Sequence, residues 1–153
     1  MQIKQVDTIE YVSVLRDIAE EGKVVSMLIA GSSMAPFLCH NRDYIYFTKP
    51  DREPRRGDMV FYQRDSGQYV MHRVYKVKPD GFYMVGDGQT QIEGPLRRNQ
   101  IFALITQVKR KGKLICPGDF WWEFFEHVWI RIVPLRGAVT ALYGIFAGKR
   151  RRS

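Results

Sequence analysis

The feature that most constrains this chain is a series of short β-branched and aromatic runs cut apart by turn signals. "KVVSMLIA", "DYIYFTK", "DMVFYQR", "YVMHRVYKV", "GFYMVGD" and "IFALITQVKRKGK" follow one another between residues 23 and 113. Asp65-Ser66-Gly67 and Pro79-Asp80-Gly81 separate neighbours in the series. Such runs read as strands, and tight turns between them favour antiparallel pairing. The expected fold class is mainly β: an antiparallel sheet or open barrel, with a short N-terminal helix and C-terminal helices. The N-terminal helix is expected over residues 7–21, where Ile9, Val12, Leu15, Ile18 and Ala19 recur at helical spacing. Asp7 and Glu10 read as its capping box and Gly22 as its stop.

The pattern changes near residue 117, which divides the chain into a β region over 1–116 and an aromatic-rich extension over 117–153. The extension, "PGDFWWEFFEHVWIRIVPLRGAVTALYGIFAGKRRRS", is helical in pattern, and Pro134 is expected to break or kink it. Two readings stand for it. One is a pair of helices packed on the sheet. The other is an interfacial anchor, with Trp121, Trp122 and Trp129 at headgroup depth and the basic end on anionic lipid. Glu123, Glu126, Arg131 and Arg136 interrupt the apolar run and disfavour a bilayer span. The net charge of +8 admits an anionic partner, and "VKRKGK" reads as a basic hairpin. No recognised nucleic-acid reader motif accompanies that charge, so nucleic acid is not the expected partner. Cys39 and Cys116 form no CxxC pair, which disfavours a cysteine-rich zinc site, and neither a metal nor a cofactor is expected. The N-terminal stretch lacks the apolar core of a secretory signal, so the expected location is cytoplasmic or peripheral on the inner membrane surface.

Two residues carry the chemical question. Ser33 stands where the "VVSMLIA" run ends, after Gly31 and Ser32 and before Met34 and Pro36. A serine hydroxyl is a poor nucleophile at neutral pH; it needs a base to take its proton and donors aimed at the oxyanion. His72 lies in a strand-like run and shares a face with Val70 and Val74, an environment that suits either a core histidine or a base. His40, in a polar turn, and His127, on the C-terminal helix, are less apt.

"GSSMAPFL", "RRGDMVFY", "MHRVYKV" and "VGDGQTQIEGP" occur in the order and spacing of the boxes of signal peptidase I-like serine peptidases. The resemblance covers about residues 25–110 and extends more distantly to the self-cleaving repressors. It implies a mostly antiparallel β catalytic domain and a serine-type endopeptidase that cuts a protein or peptide precursor in trans. Ser33 matches the nucleophile. His72 stands where most bacterial members carry a lysine base and resembles the endoplasmic-reticulum and archaeal branch. The acid that assists it is then Asp87 or Glu93, with Asp87 slightly favoured for its place at a strand end. Gly31 stands where many members have an oxyanion-hole serine, so the hole is expected to rest on the Ser33 backbone N–H, with Ser32 as helper and Met34 beside it. Asp58, in the Gly-Asp box, is expected to form a turn. The same fold also admits a catalytically silent module that binds a membrane or a partner protein.

Overall fold

The structure, a computed structural model, describes residues 5–139 and 141. The "GKRRRS" end lies outside the described residues. Helix α1 (Gln5–Glu20) leads into β1 (Val25–Leu28), β2 (Tyr44–Thr48), β3 (Met59–Gln63), β4 (Tyr69–Lys78), β5 (Gly81–Val85), β6 (Glu93–Leu96), β7 (Ile101–Arg110) and β8 (Lys113–Ile115). Helix α2 (Phe120–Glu123) then continues through a π-helical turn and a 3-10 segment that ends at Leu135.

The strands form one antiparallel sheet in the order β1-β2-β7-β3-β4-β5-β6, with β8 paired to β7. The fold is therefore mainly β, as the spacing of strand runs implies. β3 and β7 are central, and their apolar runs are continuous because both faces are buried. Met59 and Phe61 of β3 enter one core with Phe102, Ala103 and Ile105 of β7. Val60 and Tyr62 enter a second core with Val74, Met84 and Leu104 on the opposite face. Helix α1 covers the first core with Val12 and Ala19.

Three details depart from the expectations. Helix α1 already includes Gln5, so Asp7 lies within it and does not cap it. β6 is an additional strand, although Gly94 and Pro95 weaken its strand signal. It is a terminal strand of the sheet, where proline's missing N–H disrupts no ladder on the outer side. The third concerns the extension. Trp122 and Trp129 are buried with Phe125 against Phe37 in the first core, which removes both from any headgroup layer and leaves Trp121 as the exposed tryptophan. The predicted break is present: Ile132, two residues before Pro134, leaves helical geometry at φ −104° and ψ 26°. No helix among the described residues is long and apolar enough to cross a membrane.

Candidate active site

Ser33 is held by a loop-on-loop contact. Strand β5 ends at Val85, and the Gly86-Asp87-Gly88 loop turns back onto the segment after β1. The Gly88 N–H donates to the Ser33 carbonyl at 2.9 Å. A side chain at Gly88 would meet the Ala35 carbonyl at 2.8 Å and the Ser32 carbonyl at 3.1 Å, and one at Gly86 would strike the Ser33 carbonyl. Two glycines are therefore what lets the two backbones touch. Met34, fully buried in the first core, pins the other side of Ser33. Gly31 takes φ +90° and donates its N–H to His40 Nδ1 at 2.7 Å, so the turn histidine braces the approach to the serine. The Ser33 N–H donates to no acceptor among the described residues. Ser32 is exposed and lines a neighbouring hollow.

His72 approaches from β4. It pairs with Val60 of β3, and Tyr62 pairs with Val70, so Tyr62 and His72 are diagonal neighbours on one face of the sheet. Tyr62 donates its hydroxyl proton to Glu93 Oε1 at 2.7 Å. Glu93 is held at both oxygens by Arg64, Nη2 to Oε1 and Nε to Oε2, each at 2.8 Å. Burial opposes the charge of Glu93, but Arg64 and the Tyr62 hydroxyl outweigh it and hold the carboxyl below its usual range. An ionised Glu93 has no proton to give, and the single Tyr62 proton is committed to it. The contact between Tyr62 Oη and His72 Nδ1, 3.2 Å, must then be donated by the imidazole. Nδ1 carries the proton and Nε2 carries the lone pair, the tautomer a general base requires.

His72 Nε2 has no partner among the described residues. Among the described residues no buried polar side-chain atom is left unsatisfied, so Nε2 reaches solvent although the residue is only 5% exposed. Burial, the largest influence, pushes the His72 pKa down to about 4; Arg64 acts in the same direction, and Glu93 and Asp87 oppose them. His72 and Ser33 line one hollow of about 660 Å³, together with Gln89, Met27 and Tyr69. A second hollow of about 1590 Å³ shares His72, Arg64 and Gln89 with it and runs on past Ser32 toward Trp121 and Phe124. His72 therefore lines both of these grooves. Ser33 Oγ and His72 are not hydrogen-bonded to each other.

The two candidate acids have different surroundings. Asp87 is fully buried and receives Arg73 at both oxygens, at 2.8 and 2.9 Å, and it makes no hydrogen bond to His72. Glu93 is linked to His72 through Tyr62. Asp58 closes its turn by accepting the Arg55 N–H at 2.8 Å and a two-pronged contact from Arg52. His127 is on the far helix with Glu123, 3.0 Å away.

Sequence reasoning missed Tyr62, Arg64 and Arg136. The hairpin turn at Asp65-Ser66-Gly67 carries the signal for Tyr62, because it sets a register that puts residues 62, 70 and 72 on one face. No local pattern marks Arg136, which is buried and donates to the carbonyls of Gly86, Gln89 and Trp129. Together with Trp129 Nε1, which donates to the Asp87 carbonyl at 2.7 Å, it ties the C-terminal segment to the loop that holds Ser33. In comparisons with known proteins, no family model, no curated protein and no solved structure matches this chain.

Proposed function

We propose that the chain is a serine endopeptidase of the signal peptidase I type, sharing that family's fold and cutting a protein or peptide precursor. The observation that carries this reading is the imidazole. His72 Nε2 is unpartnered and carries the lone pair, and His72 lines a groove that Ser33 also lines. A ring nitrogen left open to a groove in the lone-pair form can take a proton from a group placed there.

In this reading Ser33 Oγ attacks the scissile carbonyl while Nε2 takes its proton. The oxyanion forms against the free Ser33 N–H. The imidazolium then protonates the leaving amine, and water releases the acyl group by the same path. Glu93 favours the imidazolium through its charge, and Tyr62 keeps Nδ1 protonated. A base held near 4 is a ready acceptor but a weak one. Proton transfer therefore needs the imidazolium to gain stability once substrate excludes water and negative charge develops at the oxyanion.

The groove also suits an extended substrate. The pairs 58–74, 60–72, 62–70 and 64–68 are the hydrogen-bonded ones of the β3–β4 ladder, given the Val74 N–H to Asp58 and Arg64 N–H to Gln68 bonds. Tyr69 and Met71 therefore turn their N–H and C=O groups to the other side. β5 pairs with β4 only from Arg73 onward, so that stretch of edge is open beside the hollow. A peptide strand adds there by main-chain hydrogen bonds.

A second reading, a catalytically silent binding module of the same fold, is favoured by one observation: Ser33 and His72 are not hydrogen-bonded. Incubation with candidate precursor peptides separates the two. The peptidase reading expects cleavage that Ser33→Ala and His72→Ala each abolish. Cleavage that survives both substitutions contradicts it.

A further inference from the structure

We propose that the β7–β8 hairpin and helix α2 form a docking surface for a bilayer that carries anionic phospholipid. Phe120 is 72% exposed and Trp121 is 45% exposed, on a helix whose other aromatic residue, Trp122, is buried. Beside them lies a cluster of cations. Arg110 sits over the Trp121 ring, 5.3 Å from its centroid. Lys113 is the cross-strand partner of Arg110, and Lys111 shares the large hollow with Trp121 and Phe124. Both lysines are exposed, and neither is ion-paired among the described residues. The nearest acids in sequence, Asp119 and Glu123, accept the Cys116 and Gly118 N–H groups, and neither is paired with Lys111 or Lys113 among the described residues.

Large aromatic side chains flanked by unpaired cations match the boundary between acyl chains and anionic headgroups. A second copy of the chain is a poor occupant, because it would bring the same lysines and a charge of +8 against themselves. Single-stranded nucleic acid needs free ring faces on which to stack bases. Here the Trp121 face is taken by Arg110, and Phe120 lies nearly parallel to Phe124, 18° apart at 6.3 Å. Docking is independent of the peptidase reading. Its consequence, that the His72 groove opens at the lipid surface because Trp121 lines it, rests on that reading.

Co-sedimentation of the full chain with vesicles of mixed phosphatidylcholine and phosphatidylserine, against phosphatidylcholine alone, is the test. The expected result is binding to the anionic vesicles that weakens with salt. Each lysine near such a surface is worth about fivefold in affinity, so Lys111→Gln with Lys113→Gln should weaken binding about twenty-five-fold. Phe120→Ser with Trp121→Ser should weaken it at least as much; both residues are exposed, and circular dichroism checks that the fold is kept. Lipid should also shift tryptophan emission to the blue, and Trp121→Phe should remove that shift, since Trp122 and Trp129 are already buried. Three results would each overturn the proposal: no binding to anionic vesicles, binding unchanged by both pairs of substitutions, or tighter aromatic-dependent binding to a single-stranded oligonucleotide. Ser33→Ala should dock like the parent chain, so failure of docking and failure of catalysis remain distinguishable.

Discussion

An imidazole with a pKa near 4 is neutral in all but about one molecule in a thousand at pH 7, so His72 is in its proton-accepting form across the physiological range. Acid removes that form only near the shifted value. The acid limb of kcat/KM, which reports the free enzyme, is expected at about 4 in place of the 6.5 of an unperturbed histidine. Glu93→Gln removes the main charge favouring the imidazolium, so it should lower the limb further and slow turnover. Tyr62→Phe leaves Nδ1–H without its acceptor and frees the ring to change tautomer. A loss of about ten- to a hundredfold in kcat is expected, less than the roughly 10⁴ seen when an acid in direct contact with a catalytic histidine is replaced. Asp87→Asn should behave differently. It leaves Arg73 buried without its charge partner, and the cost is stability, about 3–5 kcal/mol by denaturant titration. These contrasts separate an acid that serves His72 from an acid that holds the loop.

At the scale of elements, Ser33 is positioned by three segments that are distant in sequence: the end of β1, the loop after β5 and the C-terminal helical segment. Arg136→Met removes four hydrogen bonds from that arrangement. A fall of about tenfold in kcat with little change in KM is expected, because misplacing Ser33 costs rate more than binding. How much of this was legible in the sequence follows from the range of each signal. Strand runs and hairpin turns are local, and β1 to β5 and β7 could be read from them within a few residues. Ser33 and His72 could be singled out because each carries chemistry in a short motif. β6 was hidden because Gly94 and Pro95 argue against a strand unless its terminal place in the sheet is known. The slight preference for Asp87 over Glu93 rested on its strand-end position, which does not reveal that Arg73 occupies both of its oxygens. Arg136 was hidden because its partners are main-chain carbonyls, which every residue offers. The aromatic run after residue 119 carries its own signal: Trp122, Phe125 and Trp129 stand at i, i+3 and i+7, the spacing of one helical face, and these are the buried ones, with Trp121 off that face.

At the scale of the whole molecule, acid should unfold the protein through groups that bind fewer protons folded than unfolded. His72 is one. Asp43 is another: burial opposes its charge, but Arg42 and the backbone N–H groups of Lys111 and Cys39 prevail and lower its pKa. Glu93 is lowered in the same sense. For all three the folded pKa is depressed, so their contribution is present above the unfolded value and is lost as pH falls through the folded one. His72 sets the upper part of the window, between 6.5 and about 4, and the carboxylates set the part below. The thermal midpoint should therefore fall with acid from about pH 6, and His72→Phe should flatten the upper part of that fall.

The central claim is that Ser33 is activated by the free nitrogen of His72. Treatment of the purified chain with a serine-directed acylating probe, followed by peptide mass mapping, tests it most directly. The account predicts a single adduct on Ser33, formed at neutral pH, lost in His72→Ala and slowed in Tyr62→Phe. An unlabelled Ser33, or labelling that proceeds at full rate without His72, would contradict it.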